Sequence, residues 1–316
     1  MKRFRIYLVP LLLAALLTIS LSGCGNSGGD TTEETQPTPP LTGDTSLFPN
    51  RELLASPVNV TAAQTIVLDA RDSDDYNAGH IPGAISAPPS LFEKAGEKEV
   101  LRDVGELETL LGNLGITLNS KIIIYDNMSV SGSASGRLFW ILEYLGCTDV
   151  SILNGGWYQW QTQGLAVDTL VPAPPSPAPV FSAEIDPTVI VADKTFIVDH
   201  FLPTPNADYI LIDVRTAAEY QGGHIPNAIN FPYSQCFNSD KTVLNFQELK
   251  LLLENNGIST NKKMVVYSTL GHRSGYFYYL CRLMGYSNVI NYTGSMADWE
   301  KANLTDPVTY PIVTGL

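Results

Sequence analysis

The chain has 316 residues, with 32 acidic against 19 basic side chains and a net charge of −13. That balance argues against nucleic acid or an anionic membrane surface as a partner, because both recruit excess Lys and Arg. A 44% hydrophobic and 16% charged composition is that of a globular chain, and the length suits two domains of ordinary size.

The first residues read differently. Lys2, Arg3 and Arg5 precede an apolar run, Leu8 to Leu21, broken only by Pro10, Thr18 and Ser20. The run is short for a membrane span and is flanked as an export signal. Leu21-Ser22-Gly23-Cys24 is similar to a bacterial lipobox, whose cysteine becomes the lipidated first residue of the mature protein. An ordinary cleaved signal and an uncleaved anchor are the alternatives. The expectation is therefore a signal over 1–24, lipid attachment through Cys24 and a place in the bacterial cell envelope. Residues 25–47 are rich in Gly, Thr, Pro and acid and poor in large apolar side chains, which predicts a disordered tether.

A first folded unit is expected over 48–170. Val67-Leu68-Asp69-Ala70-Arg71 is followed by Tyr76 and by Gly79-His80-Ile81-Pro82-Gly83-Ala84-Ile85. Further on come Tyr125-Asp126, a serine-rich stretch containing Ser129, Ser131, Ser133 and Ser135, and Leu145-Gly146-Cys147. The stretch lacks the Gly-Lys-Ser/Thr of a nucleotide loop and reads as a degenerate, flexible one. Residues 171–187 open with a proline run that predicts a semi-rigid extended linker.

The second unit, 188–316, repeats the first. Leu211-Ile212-Asp213-Val214-Arg215, Tyr220 and Gly223-His224-Ile225-Pro226 stand 144 residues after their counterparts. The offset falls to 142 at Tyr267 and to 139 at Gly285 and Trp299, so the first unit carries a loop three residues longer. A period this long means duplicated domains and not a solenoid. Strands are expected at Tyr209 to Val214, Ala228 to Phe231, Lys263 to Tyr267 and Val289 to Tyr292. Helices are expected at Phe246 to about Gly257, Arg273 to Met284 and Met296 to Ala302. Apolar strands alternating with helices predict an α/β fold, each domain a mostly parallel sheet covered by helices on both faces. In such sheets ligands bind outside the carboxyl ends of the strands. Asp69 and Asp213 should pair with Arg71 and Arg215 or with backbone amides. His80 and His224 should satisfy loop backbone, and Trp157, Trp160 and Trp299 should belong to the core. No cluster has the spacing of metal ligands.

The duplicated Asp-x-Arg and Gly-His-Ile-Pro-x-Ala-Ile blocks resemble those of the rhodanese-like sulfurtransferases, over roughly residues 53–165 and 195–303. The resemblance implies that the loop Ser268-Thr269-Leu270-Gly271-His272-Arg273 is the active-site loop, a cradle of inward amides closed by Arg273. It also implies a cysteine where Ser268 stands. In an active member that thiolate attacks a sulfane sulfur to form a persulfide. A serine oxygen is far less acidic and forms no stable bond of that kind. In the first unit the matching position is Asp126, as in the non-catalytic first domain of two-domain sulfurtransferases. The expectation is a module that holds a small sulfur oxyanion, such as thiosulfate or sulfite, at residues 268–273, without any cofactor. The alternatives are sulfur transfer through another thiol, with Cys236 on a loop beside the cleft as first choice, and a partner-binding scaffold. Cys147 and Cys281 read as buried or incidental thiols.

Overall fold

The computed structural model describes residues 45–61, 63–128, 133–174, 176, 178–185 and 194–315. The expected signal, Cys24, most of the tether, Ser129, Ser131 and the start of the second unit lie outside them. The first domain supplies strands β1 (Leu54–Ala55), β2 (Thr65–Asp69), β3 (Ile85–Ser86), β4 (Glu93–Lys94), β5 (Glu97–Leu101), β6 (Lys121–Tyr125) and β7 (Val150–Leu153). Its helices are α1 (Pro57–Val60), α2 (Ser73–Ala78), α3 (Val104–Asn113), α4 (Ala134–Tyr144) and α5 (Gly156–Thr162). The second domain has helix α6 (Lys194–Phe201), strand β8 (Tyr209–Asp213), α7 (Ala217–Gly222), β9 (Ile229–Asn230), α8 (Phe246–Asn255) and β10 (Lys263–Tyr267). It closes with α9 (His272–Leu283), β11 (Val289–Asn291) and α10 (Ser295–Thr305).

The sheets run β1-β7-β6-β2-β3 and β11-β10-β8-β9, every neighbouring pair parallel. Tyr125 pairs with Asp69 and Tyr267 with Asp213, so the central strands of the two domains end in the same register. Strand order reverses between β2 and β6, and again between β8 and β10, which is where a parallel sheet opens a crevice. Strands β6 and β10 are buried from their second residue onward, which explains their near-continuous apolar content.

The duplicated blocks are architecture, as their chemistry predicted. Arg71 Nη2 lies 2.5 Å from Asp69 Oδ2 and also donates to Gly79 O; Arg215 repeats this at 2.6 Å with Asp213 and with Gly223 O. His80 and His224 stack on Tyr76 and Tyr220, and their Nδ1 atoms contact those residues' carbonyls at 3.0 and 2.8 Å. Trp157, Trp160 and Trp299 are all buried.

The domains meet through α4 and α9, and one hydrophobic cluster runs from Leu138 and Trp140 on α4 to Tyr276 and Leu280 on α9. The crossing is close because Gly136 faces Gly275. A Cβ on Gly136 would fall on the backbone of Tyr276, and one on Gly275 would lie 2.8 Å from Gly136 O. One expectation needs correction. Residues 45–47, read as tether, form a 3-10 turn leading into buried Phe48, and Asn50 Nδ2 donates to Arg282 O on α9 at 2.6 Å. The proline-rich stretch, expected to be semi-rigid and extended, is anchored at its far end, where Phe181 is buried, Ala183 N donates to Glu108 Oε1 on α3 and Glu184 N to Leu145 O.

Candidate functional site

Residues 268–271 connect β10 to α9 at the carboxyl edge of the second sheet. Ser268 is 1% exposed, and its Oγ accepts the Gly271 N–H at 3.1 Å and lies 3.4 Å from Ser274 Oγ. Its backbone is tied to the following unit: Ser268 N donates to Ser295 Oγ, and Ser268 O accepts from Met296 N. Gly271 has φ +83°, and a Cβ there would meet Arg137 Nη1 at 2.6 Å and Thr293 O at 2.7 Å. The turn therefore needs glycine twice over, for its left-handed backbone and for the space. Helix geometry leaves the N–H groups of His272, Arg273 and Ser274 without intrahelical acceptors, at the positive end of the α9 dipole.

The side chains of the loop do not all converge. Arg273 grips Glu219 in a fork, Nη1 to Oε2 and Nη2 to Oε1 both at 2.7 Å, and Nη2 also donates to Thr269 Oγ1. That guanidinium, followed by the donors of Thr216, holds the Glu219 carboxyl well below its ordinary range, at about 2. So Arg273 closes the loop but is not a free cation. Thr269 is exposed and Leu270 half-buried. His272 turns out of the loop toward the first domain, its Nε2 3.3 Å from Glu93 Oε1. Glu93 is shared with Arg137, a fully buried α4 guanidinium whose Nε lies 3.4 Å away and whose Nη1 donates to Thr293 Oγ1. Burial lowers the pKa of Arg137 and Glu93 raises it, the former prevailing. The loop of the second domain thus rests on an arginine of the first.

In the first domain the matching place is taken by Asp126, buried beneath the crevice. Its Oδ1 accepts Met128 N at 2.6 Å, and its Oδ2 accepts both Ser135 N and Ser135 Oγ at 2.8 Å. Burial pushes its pKa up, with those hydrogen bonds opposing. A cavity of about 300 Å³ opens over it, lined by Asp72, Asp75, Ala134, Lys98 and, across the domain boundary, His272.

Cys236 corrects an expectation. It ends a 3-10 helix (Tyr233–Cys236) inside the shared core with no exposed surface, and burial drives its thiol pKa upward, away from nucleophilic thiolate. It does not border the cleft. Cys281 is equally buried, and burial raises the Cys147 thiol to about 12. Among the described residues no group of three or more His, Cys, Asp or Glu is placed to hold a metal. Arg137, Glu93 and Glu219 were missed at the sequence level. Two signals pointed to Arg137 and Glu219: an arginine at the head of the otherwise apolar run Leu138–Leu142, and the capping box Thr216-x-x-Glu219.

The fold and its sites define a tandem α/β protein, with one strand–loop–helix site at the switch point of each parallel sheet. The chain belongs to the rhodanese-like family, whose domain matches residues 52–163 and 202–302. It is 30% identical over 244 residues to the sulfur carrier protein TtuD of Thermus thermophilus, spanning 71% of this chain and 83% of that one. It is 28% identical over 268 residues to a thiosulfate sulfurtransferase of Pseudomonas aeruginosa, spanning 80% and 96%. Among solved structures, the anaerobic ergothioneine biosynthesis enzyme from Chlorobium limicola, in complex with trimethyl histidine, superposes with a TM-score of 0.73 at 25% identity. That match covers 85% of this chain and 72% of that one.

Proposed function

We propose that this rhodanese-family protein holds a small sulfur oxyanion, thiosulfate or sulfite, at residues 268–273 without forming a persulfide. The observation that carries the reading is the oxygen of Ser268 sitting on the Gly271 N–H, at the focus of the loop. An alcohol there keeps the cradle formed but supplies neither a thiolate at neutral pH nor an atom that retains sulfane sulfur. What remains is the positive end of α9 and Arg273, which can take an anion by exchanging it for Glu219. Two relatives named for sulfur carriage and thiosulfate sulfur transfer support the chemical class.

Calorimetric titration with thiosulfate, sulfite and sulfate, against chloride as control, tests the reading. Saturable heat is expected, lost in Arg273→Ala and strengthened in Glu219→Gln, where the competing carboxylate is gone. No heat at millimolar anion overturns it. Sulfur transfer through Cys236 has burial against it. The reading extends to the cell envelope through the export-type segment and Cys24, and labelling with a radioactive fatty acid, abolished in Cys24→Ser, checks that part.

A further inference from the structure

The cavity over Asp126 has a counterpart in the second domain, and there the space is filled. Ser135 bonds Asp126 as Ser274 bonds Ser268, so the residue before each serine is equivalent: Ala134 in the first domain, Arg273 in the second. The residue before each stacked tyrosine is likewise equivalent: Asp75 before Tyr76, Glu219 before Tyr220. In the second domain the carboxylate grips the guanidinium at 2.7 Å. In the first domain the carboxylate remains, bonded among the described residues only by the neutral amide of Asn127 at 2.6 Å, and a methyl group stands where the arginine would begin. Ala134, Asp75 and Asp126 all line the resulting 300 Å³ cavity. Among the described residues Asp75 has no ion pair.

The charges around the cavity agree. Arg71 is matched by Asp69 and Glu93 by Arg137, which leaves Asp72, Asp75 and Asp126 facing Lys98 and His272, the latter turned toward Glu93. The wall is acidic at a sheet switch point, where ligands of parallel sheets bind. We propose that this cavity is a binding site for an alkylguanidinium cation, which takes in trans the place that Arg273 takes in cis in the second domain. The fork of a guanidinium matches a carboxylate in a way that a point-like ammonium does not. The cation can come from a free small molecule or from an arginine side chain of a peptide.

Titration calorimetry of the full chain with ethylguanidine, with ethylurea as its neutral isostere and ethylamine as its point-charge analogue, tests this. One saturable site is expected for ethylguanidine, with weaker binding of ethylamine and none of ethylurea. A capped Gly-Arg-Gly peptide separates the sources, since tighter binding than ethylguanidine assigns the site to a peptide side chain and weaker binding to a free molecule. Ala134→Arg should fill the site and weaken ethylguanidine by about tenfold or more, and Asp75→Asn should do the same by removing the charge. Asp74→Asn, one residue away on α2 and outside the cavity, should leave affinity unchanged. Absence of saturable heat, equal binding of ethylurea, or unchanged affinity in Asp75→Asn overturns the proposal. Because Asp75 is exposed, that variant decides the matter even if Ala134→Arg fails to fold.

Discussion

Two loops built from one ancestral unit have reached different solutions at the same place. At Asp126 a carboxylate takes three hydrogen bonds from its own loop, which spans nine residues to Ser135. At Ser268 a hydroxyl takes one amide and a neighbouring serine over six. Both place an acceptor at the focus of a turn whose donors point inward, since a buried N–H left unpaired costs about 1–3 kcal/mol. The loop architecture therefore asks for an acceptor and not for a nucleophile. Around that common point the surroundings diverge: the second crevice is shut by Arg273 on Glu219, and the first stays open over Ala134.

The widest separation between the loops is expected from a thiol. Loss of a nucleophile costs on the order of 10⁶ in kcat in a well-studied hydrolase. If the Ser268 loop retains its geometry, Ser268→Cys should therefore change thiosulfate:cyanide activity from none to readily measurable, with thiocyanate formed. Asp126→Cys should remain silent, because no arginine closes its loop. Activity in both variants, or in neither, breaks the distinction drawn here.

Next in size is the tie between the loops. Arg137→Met removes the guanidinium that neutralises buried Glu93 and backs Gly271. Leaving one charge of a buried pair uncompensated costs about 3–5 kcal/mol. Urea denaturation should show that loss, and the double variant Arg137→Met/Glu93→Gln should recover most of it. If the single variant is as stable as the parent, the second loop does not depend on the first domain.

The helix crossing tests how symmetric the pair is. Gly136→Ala sets a methyl on the Tyr276 backbone, whereas Gly275→Ala meets Gly136 O at 2.8 Å and Arg137 Cα at 3.0 Å. Overpacking of this kind costs about 1–3 kcal/mol, and Gly136→Ala should lie at the upper end in a urea melt. Equal losses would show that the α4–α9 contact yields evenly on both sides.

Much of this frame was legible beforehand, and the reasons differ by residue. The run Lys263 to Tyr267 announced a strand because a strand buried on both faces must be apolar throughout, and it begins and ends where expected. Helix α9 starts and stops one residue early, at His272 and Leu283, because capping is decided by the glycine turn at 271. Cys236 looked like a loop thiol because its burial comes from α9, some 40 positions away in sequence, and pattern reading is local. Arg273 was visible, but its partner Glu219 is brought to it only by the β8–α7 turn. The first-domain cavity was the hardest to foresee, since it is made by what Ala134 lacks.

The smallest expected effect bears on the closed crevice itself. Glu219 titrates at about 2 in the folded protein, held down chiefly by Arg273, against an unfolded value of about 4.5. A depressed carboxyl contributes stability that is complete above the unfolded pKa and is lost as the pH falls through the folded one. The Glu219 contribution should thus be full above about pH 4.5 and fade between there and about pH 2. Its side chain is 36% exposed, so solvent screening reduces the worth of the pair to below about 1 kcal/mol. Glu219→Gln should flatten the acid limb of stability by that amount. Comparing urea midpoints of the parent and the variant at pH 7 and pH 3 reads the difference directly. Equal slopes would mean that Arg273 gains nothing from Glu219, and that the second crevice is held shut by the Ser268 loop and the packing beneath it.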